Sequence, residues 1–161
     1  MAAPAAPFGV YVHIPFCASK CDYCAFATWT DRHHLTDAYL DALGTDIARA
    51  VAGGMPLATS IFVGGGTPSM VGGTDLAEVI AGIPVVEGAE VTVECNPDDV
   101  TDALLDAYVA AGVDRVSVGV QSMAPHVLGA LGRKHDRQNV YAAVDAIRRA
   151  GLTSFNVDVI Y

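Results

Sequence analysis

Apolar positions along this chain switch repeatedly between two periods. Val10, Val12 and Ile14 alternate with Tyr11 and His13, which predicts a strand over 10–14. Leu35, Tyr39, Leu43, Ile47 and Val51 then recur every four residues, as on one helix face, and Gly53-Gly54 closes that helix. Ile61-Phe62-Val63 predicts a short buried strand running into Gly64-Gly65-Gly66, followed by a short helix over 75–81. Val91-Thr92-Val93-Glu94 predicts the next strand, ending near Asn96-Pro97. Thr101 is placed to cap a helix carrying Leu104, Leu105, Tyr108 and Val109, which Gly112 stops. A fourth strand follows over 116–120. Val140, Val144 and Ile147 mark a helix ended by Gly151, and a fifth strand covers 155–160.

Strands alternating with helices imply βαβ units and a parallel α/β sheet. The strands read as near-continuous apolar runs, which predicts cover on both faces. Each predicted strand finishes on groups able to bind or react: the cysteine-rich segment 17–24, the triple glycine, Glu94, Gln121 and Asp158. In a barrel of parallel strands those ends share one face, where active sites are built. The fold expected from the pattern is therefore a parallel α/β sheet of about five strands. Residues 1–7 are expected to form a disordered tail and 8–161 an incomplete domain. The end at Tyr161, on a strand with no helix to cover it, suggests a fragment with exposed apolar surface and poor solubility.

Composition narrows the function classes. A 52% hydrophobic and 17% charged chain is globular. Nine basic against eighteen acidic residues give a net charge of −9 with no basic run, which argues against a nucleic-acid surface. Met1 to Pro7 lacks the features of a signal peptide, and no apolar stretch is long enough to predict a membrane span. A cytoplasmic, reducing compartment is expected, where cysteines serve metal or redox chemistry rather than disulfides.

Three of the four cysteines, Cys17, Cys21 and Cys24, fall in the pattern CxxxCxxC directly after His13-Ile14-Pro15-Phe16. Three thiolates leave a metal site one ligand short, and an open position suits catalysis rather than structure. The alternative is half of a zinc site, with Cys95 or a histidine as fourth ligand. Cys95 reads better as a small buried hydrophobe. Gly64-Gly65-Gly66-Thr67-Pro68 lacks the Gly-Lys-Ser/Thr of a phosphate-binding loop. It is either an ordinary tight turn or a place where a ligand approaches the backbone closely. Glu94 is either a solvated strand-end acid or the acceptor for a ribose diol. Asp158 sits between valines in a buried strand and needs a polar partner. His13 is expected to help pack the cysteine segment, whereas His33, His34, His126 and His135 are expected to be solvated.

The segment YVHIPFCASKCDYC, the GGGTP turn and the GVQ of Gly119-Val120-Gln121, occurring in this order, resemble the radical S-adenosylmethionine (SAM) superfamily. The likeness runs from about Phe8 to Tyr161. It is strongest to the group containing oxygen-independent coproporphyrinogen III oxidase and the HemW heme chaperones. The resemblance implies a radical SAM core, an open, partial TIM-type barrel here truncated after about five strands, with a [4Fe–4S] cluster on Cys17, Cys21 and Cys24. It implies SAM contacts at Tyr11, Tyr23, Gly65, Gly66, Thr67, Glu94, Gln121, Arg133 and Asp158. The oxidase carries a fourth cysteine two residues after the third, where this chain has Phe26, and it has a longer segment before its tyrosine. Both departures favour the HemW branch. Heme is then the cargo, with respiratory apo-hemoproteins and a low-potential electron donor as partners. The alternative is oxidative decarboxylation of coproporphyrinogen III.

Overall fold

The computed structural model describes residues 6–161; positions 1–5 of the expected tail lie outside them. Five strands form one all-parallel sheet: β1 (Gly9–Ile14), β2 (Ala58–Gly65), β3 (Val85–Cys95), β4 (Arg115–Gln121) and β5 (Ser154–Val159). Their spatial order is β1-β2-β3-β4-β5, the chain order, and β1 and β5 are the two edges of an open sheet. The connections carry α1 (Thr36–Ala52), α2 (Gly73–Ala81), α3 (Asp102–Ala110), α4 (Pro125–Ala130) and α5 (Arg137–Arg149).

The period-two pattern sorts the sheet into two faces. Val12, Ile14, Ile61, Val63, Val91, Val93, Val116 and Val118 are buried. They share a core with Leu40, Leu76, Ile80, Leu105, Tyr108, Val140 and Ile147 of the helices. Each fully buried aliphatic side chain contributes about 1.5–3 kcal/mol relative to exposure. The opposite face carries Tyr11, His13, Phe62, Glu94, Ser117, Asn156 and Asp158, so the cover expected on both faces is absent there among the described residues. Tyr11 and Phe62 on that face are exposed while Thr92 and Ser117 are buried, and its polar side chains bond to one another. Arg115 donates to Asn156 Oδ1 at 2.8 Å. Asn156 Nδ2 donates to Asp158 Oδ1 at 2.9 Å and to Ser117 Oγ at 2.8 Å.

The predicted elements appear, with two differences among the elements and one at a single residue. Strand β3 starts at Val85 because its first half continues past a shift in register against β2, between Ala58 and Ser60. Helix α4 was not anticipated: its six residues are too few for a periodic signal, though Pro125 in its first turn is a start signal. His135 is buried rather than solvated, at 4% exposure. No helix among the described residues is long and apolar enough to cross a membrane.

Candidate functional site

The cysteine segment is closed at its neck by backbone pairing. Trp29 N–H donates to Pro15 O at 2.8 Å, and Cys17 N–H donates to Trp29 O at 3.1 Å. This bridge between Phe16 and Trp29 makes 17–28 a loop hung on the C-terminal end of β1. His13 holds the loop from the polar face. Its Nε2–H donates to Ala27 O at 2.9 Å, since a carbonyl can only accept. In the neutral ring Nδ1 is then left to accept from Tyr11 Oη at 3.1 Å. The expectation that His13 packs the loop therefore holds. All four cysteines are free.

The glycine turn lies beside it because β1 pairs with β2, placing Ile14 opposite Gly65. Gly65 has φ +112°, and a Cβ there would enter the His13 ring. A Cβ on Gly66 would lie 2.5 Å from Phe16 O, so that position admits no side chain. Gly66 N–H donates to Ile14 O and Thr67 N–H to Phe16 O, both at 2.7 Å, locking the turn to the neck of the cysteine loop. Gly65 N–H donates to Glu94 Oε2 at 3.1 Å. Burial pushes the Glu94 carboxyl above the usual range; the Gly65 N–H opposes this, Asp158 adds to it and His13 opposes it.

The far wall comes from β4, β5 and the segment after α4. Gln121, the last residue of β4, has φ +63°, in the left-handed region that non-glycine residues seldom enter. It sits where the β4–β5 register shifts between Val118 and Gln121. Arg133 reaches across three elements. It donates to Asn96 Oδ1 at 2.6 Å, to Gly119 O at 2.7 Å and to Cys21 Sγ at 3.7 Å. Asp158 accepts from Ser117 Oγ at 3.1 Å; it is exposed, as are Val157 and Val159, so the buried strand expected around it is not found.

These walls enclose a cleft of about 270 Å³. Cys17, Cys21, Cys24, Tyr23, Gly65, Gly66, Thr67, Glu94, Gln121, Arg133 and Asp158 all line it. Tyr11 does not; it is 55% exposed and stacks on Phe62 with ring centroids 6.3 Å apart. Cys95 is buried as expected, and burial pushes its thiol far up. Asn96, Ser117 and Asp99 also line the cleft, and no sequence motif points to them. Asn96 and Asp99 flank Pro97-Asp98 just beyond a strand end, which was the available signal. Ser69 Oγ donates to Asp99 Oδ2 at 2.8 Å and accepts from Asn96 N–H at 3.0 Å, so the cleft floor is cross-braced.

No three His, Cys, Asp or Glu side chains among the described residues form a site for a single metal ion. The donor chemistry around the three thiols nonetheless suits thiolates shared with a cluster. A guanidinium and a buried hydroxyl aim donors at the sulfurs of Cys21 and Cys17.

An open parallel sheet with a three-cysteine loop over its strand ends defines a class, and the sequence comparisons agree with it. The profile of the Radical SAM superfamily matches residues 11–161, and the chain belongs to that superfamily. It is 39% identical to the heme chaperone HemW of Mycobacterium tuberculosis, over 98% of this chain and 43% of that protein. It is 38% identical to the heme chaperone HemW of Escherichia coli, over 96% of this chain and 43% of that protein. The solved structure of coproporphyrinogen III oxidase (HemN) from Escherichia coli superposes with a TM-score of 0.87 at 32% identity, covering 99% of this chain and 38% of the oxidase. The chain thus spans less than half the length of these relatives.

Proposed function

We propose that this chain is the cofactor-binding core of a HemW-type protein that binds heme and passes it to respiratory apo-hemoproteins. The observation that carries the reading is the lining of one cleft: three free thiols, a glycine turn, a carboxylate and a guanidinium. Cys17, Cys21 and Cys24 would hold a [4Fe–4S] cluster, leaving one iron open for SAM. When bound, that cluster supplies the electron that cleaves the SAM sulfonium. The turn at Gly65 and Gly66 would offer its backbone to the ligand's methionyl part, and Glu94 would accept from a ribose diol. Tyr23 lies by the cysteines as a surface for the adenine, and burial pushes its hydroxyl up, keeping it a neutral donor. Arg133 offers its guanidinium to a carboxylate, Gln121 adds an amide, and Asp158 an acceptor. A low-potential donor and a cytoplasmic location belong to the same proposal.

Phe26 separates the branches. It is exposed, lines the cleft and stands where the oxidase branch carries cysteine. The two HemW relatives add to that reading. The TM-score of 0.87 with the oxidase favours the second reading, oxidative decarboxylation of coproporphyrinogen III.

The full-length protein, reconstituted anaerobically, is expected to hold about four irons and four sulfides per chain. It is expected to bind heme, seen as a Soret band, and to transfer it to an apo-hemoprotein. Stoichiometric zinc without iron overturns the cluster assignment, and failure to bind heme overturns the cargo. Conversion of coproporphyrinogen to protoporphyrinogen with SAM and reductant would establish the second reading instead.

A further inference from the structure

Thr67 ends the glycine turn, and its side chain faces away from solvent at 7% exposure. Among the described residues its hydroxyl has one partner, the Sγ of buried Cys17 at 3.5 Å. The contact is fixed from both sides. Thr67 N–H donates to Phe16 O at 2.7 Å, next to Cys17, and Thr67 O accepts from Met70 N–H at 3.0 Å. A thiolate can only accept, so the hydroxyl must donate. Leaving it unpaired in this buried position would be unfavourable, so the sulfur sets its orientation. Arg133 approaches a different sulfur, that of Cys21. Its guanidinium also holds Asn96 and Gly119, so replacing it would disturb three contacts at once.

We propose that Thr67 is a positioning residue that raises the reduction potential of the cluster through its hydrogen bond to Cys17. The proposal rests on the cluster reading above. One-electron reduction adds negative charge that spreads onto the ligating sulfurs. An O–H dipole aimed at one of them from a buried site stabilises the reduced form more than the oxidised form. Thr67 is distinct in this from Gly65 and Gly66, which have no side chain to offer.

The test is a dithionite titration of the reconstituted full-length protein without SAM, followed by electron paramagnetic resonance. The variants are Thr67→Val, Thr67→Ala and Thr67→Ser, with iron and sulfide quantified in each. Val and Ala are expected to shift the midpoint to more negative values, and Ser, which keeps the hydroxyl, to restore it. Loaded Val or Ala protein with the wild-type midpoint overturns the proposal. So does loss of cluster from both Val and Ala while Ser loads, since the hydroxyl would then serve assembly rather than potential. A wild-type protein that takes up no cluster defeats the underlying reading, and iron analysis alone separates that result from the others.

Discussion

Glu94 is held where its charge is disfavoured. Its folded-state pKa is raised, chiefly by burial, so the neutral acid is the better-tolerated form. Its contribution to stability is fully present below the unfolded value, about pH 4.3, and is lost as pH rises through the folded value. The ionised form is thus a desolvated charge in the ligand-free fold, and a diol donating to it would offset that cost. Glu94→Gln keeps a carbonyl for Gly65 N–H. It is expected to raise the melting temperature of the ligand-free protein while weakening SAM binding by roughly 1.5–3 kcal/mol, the worth of a hydrogen bond to a charged group. Differential scanning fluorimetry and isothermal titration calorimetry would show the two opposite signs. Little of this was legible beforehand: Val-Thr-Val-Glu says that an acid ends a strand, not that a neighbouring turn donates to it.

Among the elements, α5 is the best defined at its start. Asp136 accepts from Gln138 N–H at 2.7 Å and Asn139 N–H at 3.0 Å, while Asn139 Oδ1 accepts from Asp136 N–H at 2.9 Å. This reciprocal cap satisfies donors that the first helical turn leaves free. Asp136→Ala is expected to destabilise the fold by about 1 kcal/mol in urea denaturation, with Asp136→Ser recovering most of it. The long elements were legible in sequence because burial on one side imposes a period. The alternation in 10–14 follows from this; of the helix stripe only Tyr39, Leu43 and Ile47 pack against the core, while Leu35 and Val51 are exposed and Leu40 is the buried residue of α1. Helix α4 and the first half of β3 were not legible, since one has six residues and the other follows a change in register. The strained backbone of Gln121 was equally hidden: the residue was singled out, but nothing in Gly-Val-Gln reveals a left-handed φ.

Across the whole molecule, His135 pins the α4–α5 connection to the sheet. Its Nε2–H donates to Val120 O at 2.9 Å, at the C-terminal end of β4. Burial, first among the causes, lowers its pKa from the ordinary value. The fold thus prefers the neutral ring. Its stabilising effect is complete above about pH 6.5 and falls away as pH drops toward the lowered folded value. The urea midpoint is expected to decline on acidification below that pH, and His135→Gln to flatten part of the decline. In sequence His135 sits in Leu-Gly-Arg-Lys-His-Asp, a polar stretch that looks solvated, because only the path of the chain over the sheet buries it.

The equality of strand order and chain order also sets a timetable. The thiols leave the ribosome with β1, whereas Arg133, which donates to Cys21 Sγ, is 112 positions further along. Asp158, on β5, follows later still. While the residues between Cys24 and Arg133 are synthesised, the cysteines are therefore present without the far wall of their cleft. The interval in which they are open to air or stray metal is set by translation speed. Its length is a property of the topology, which no substitution within the cleft can shorten.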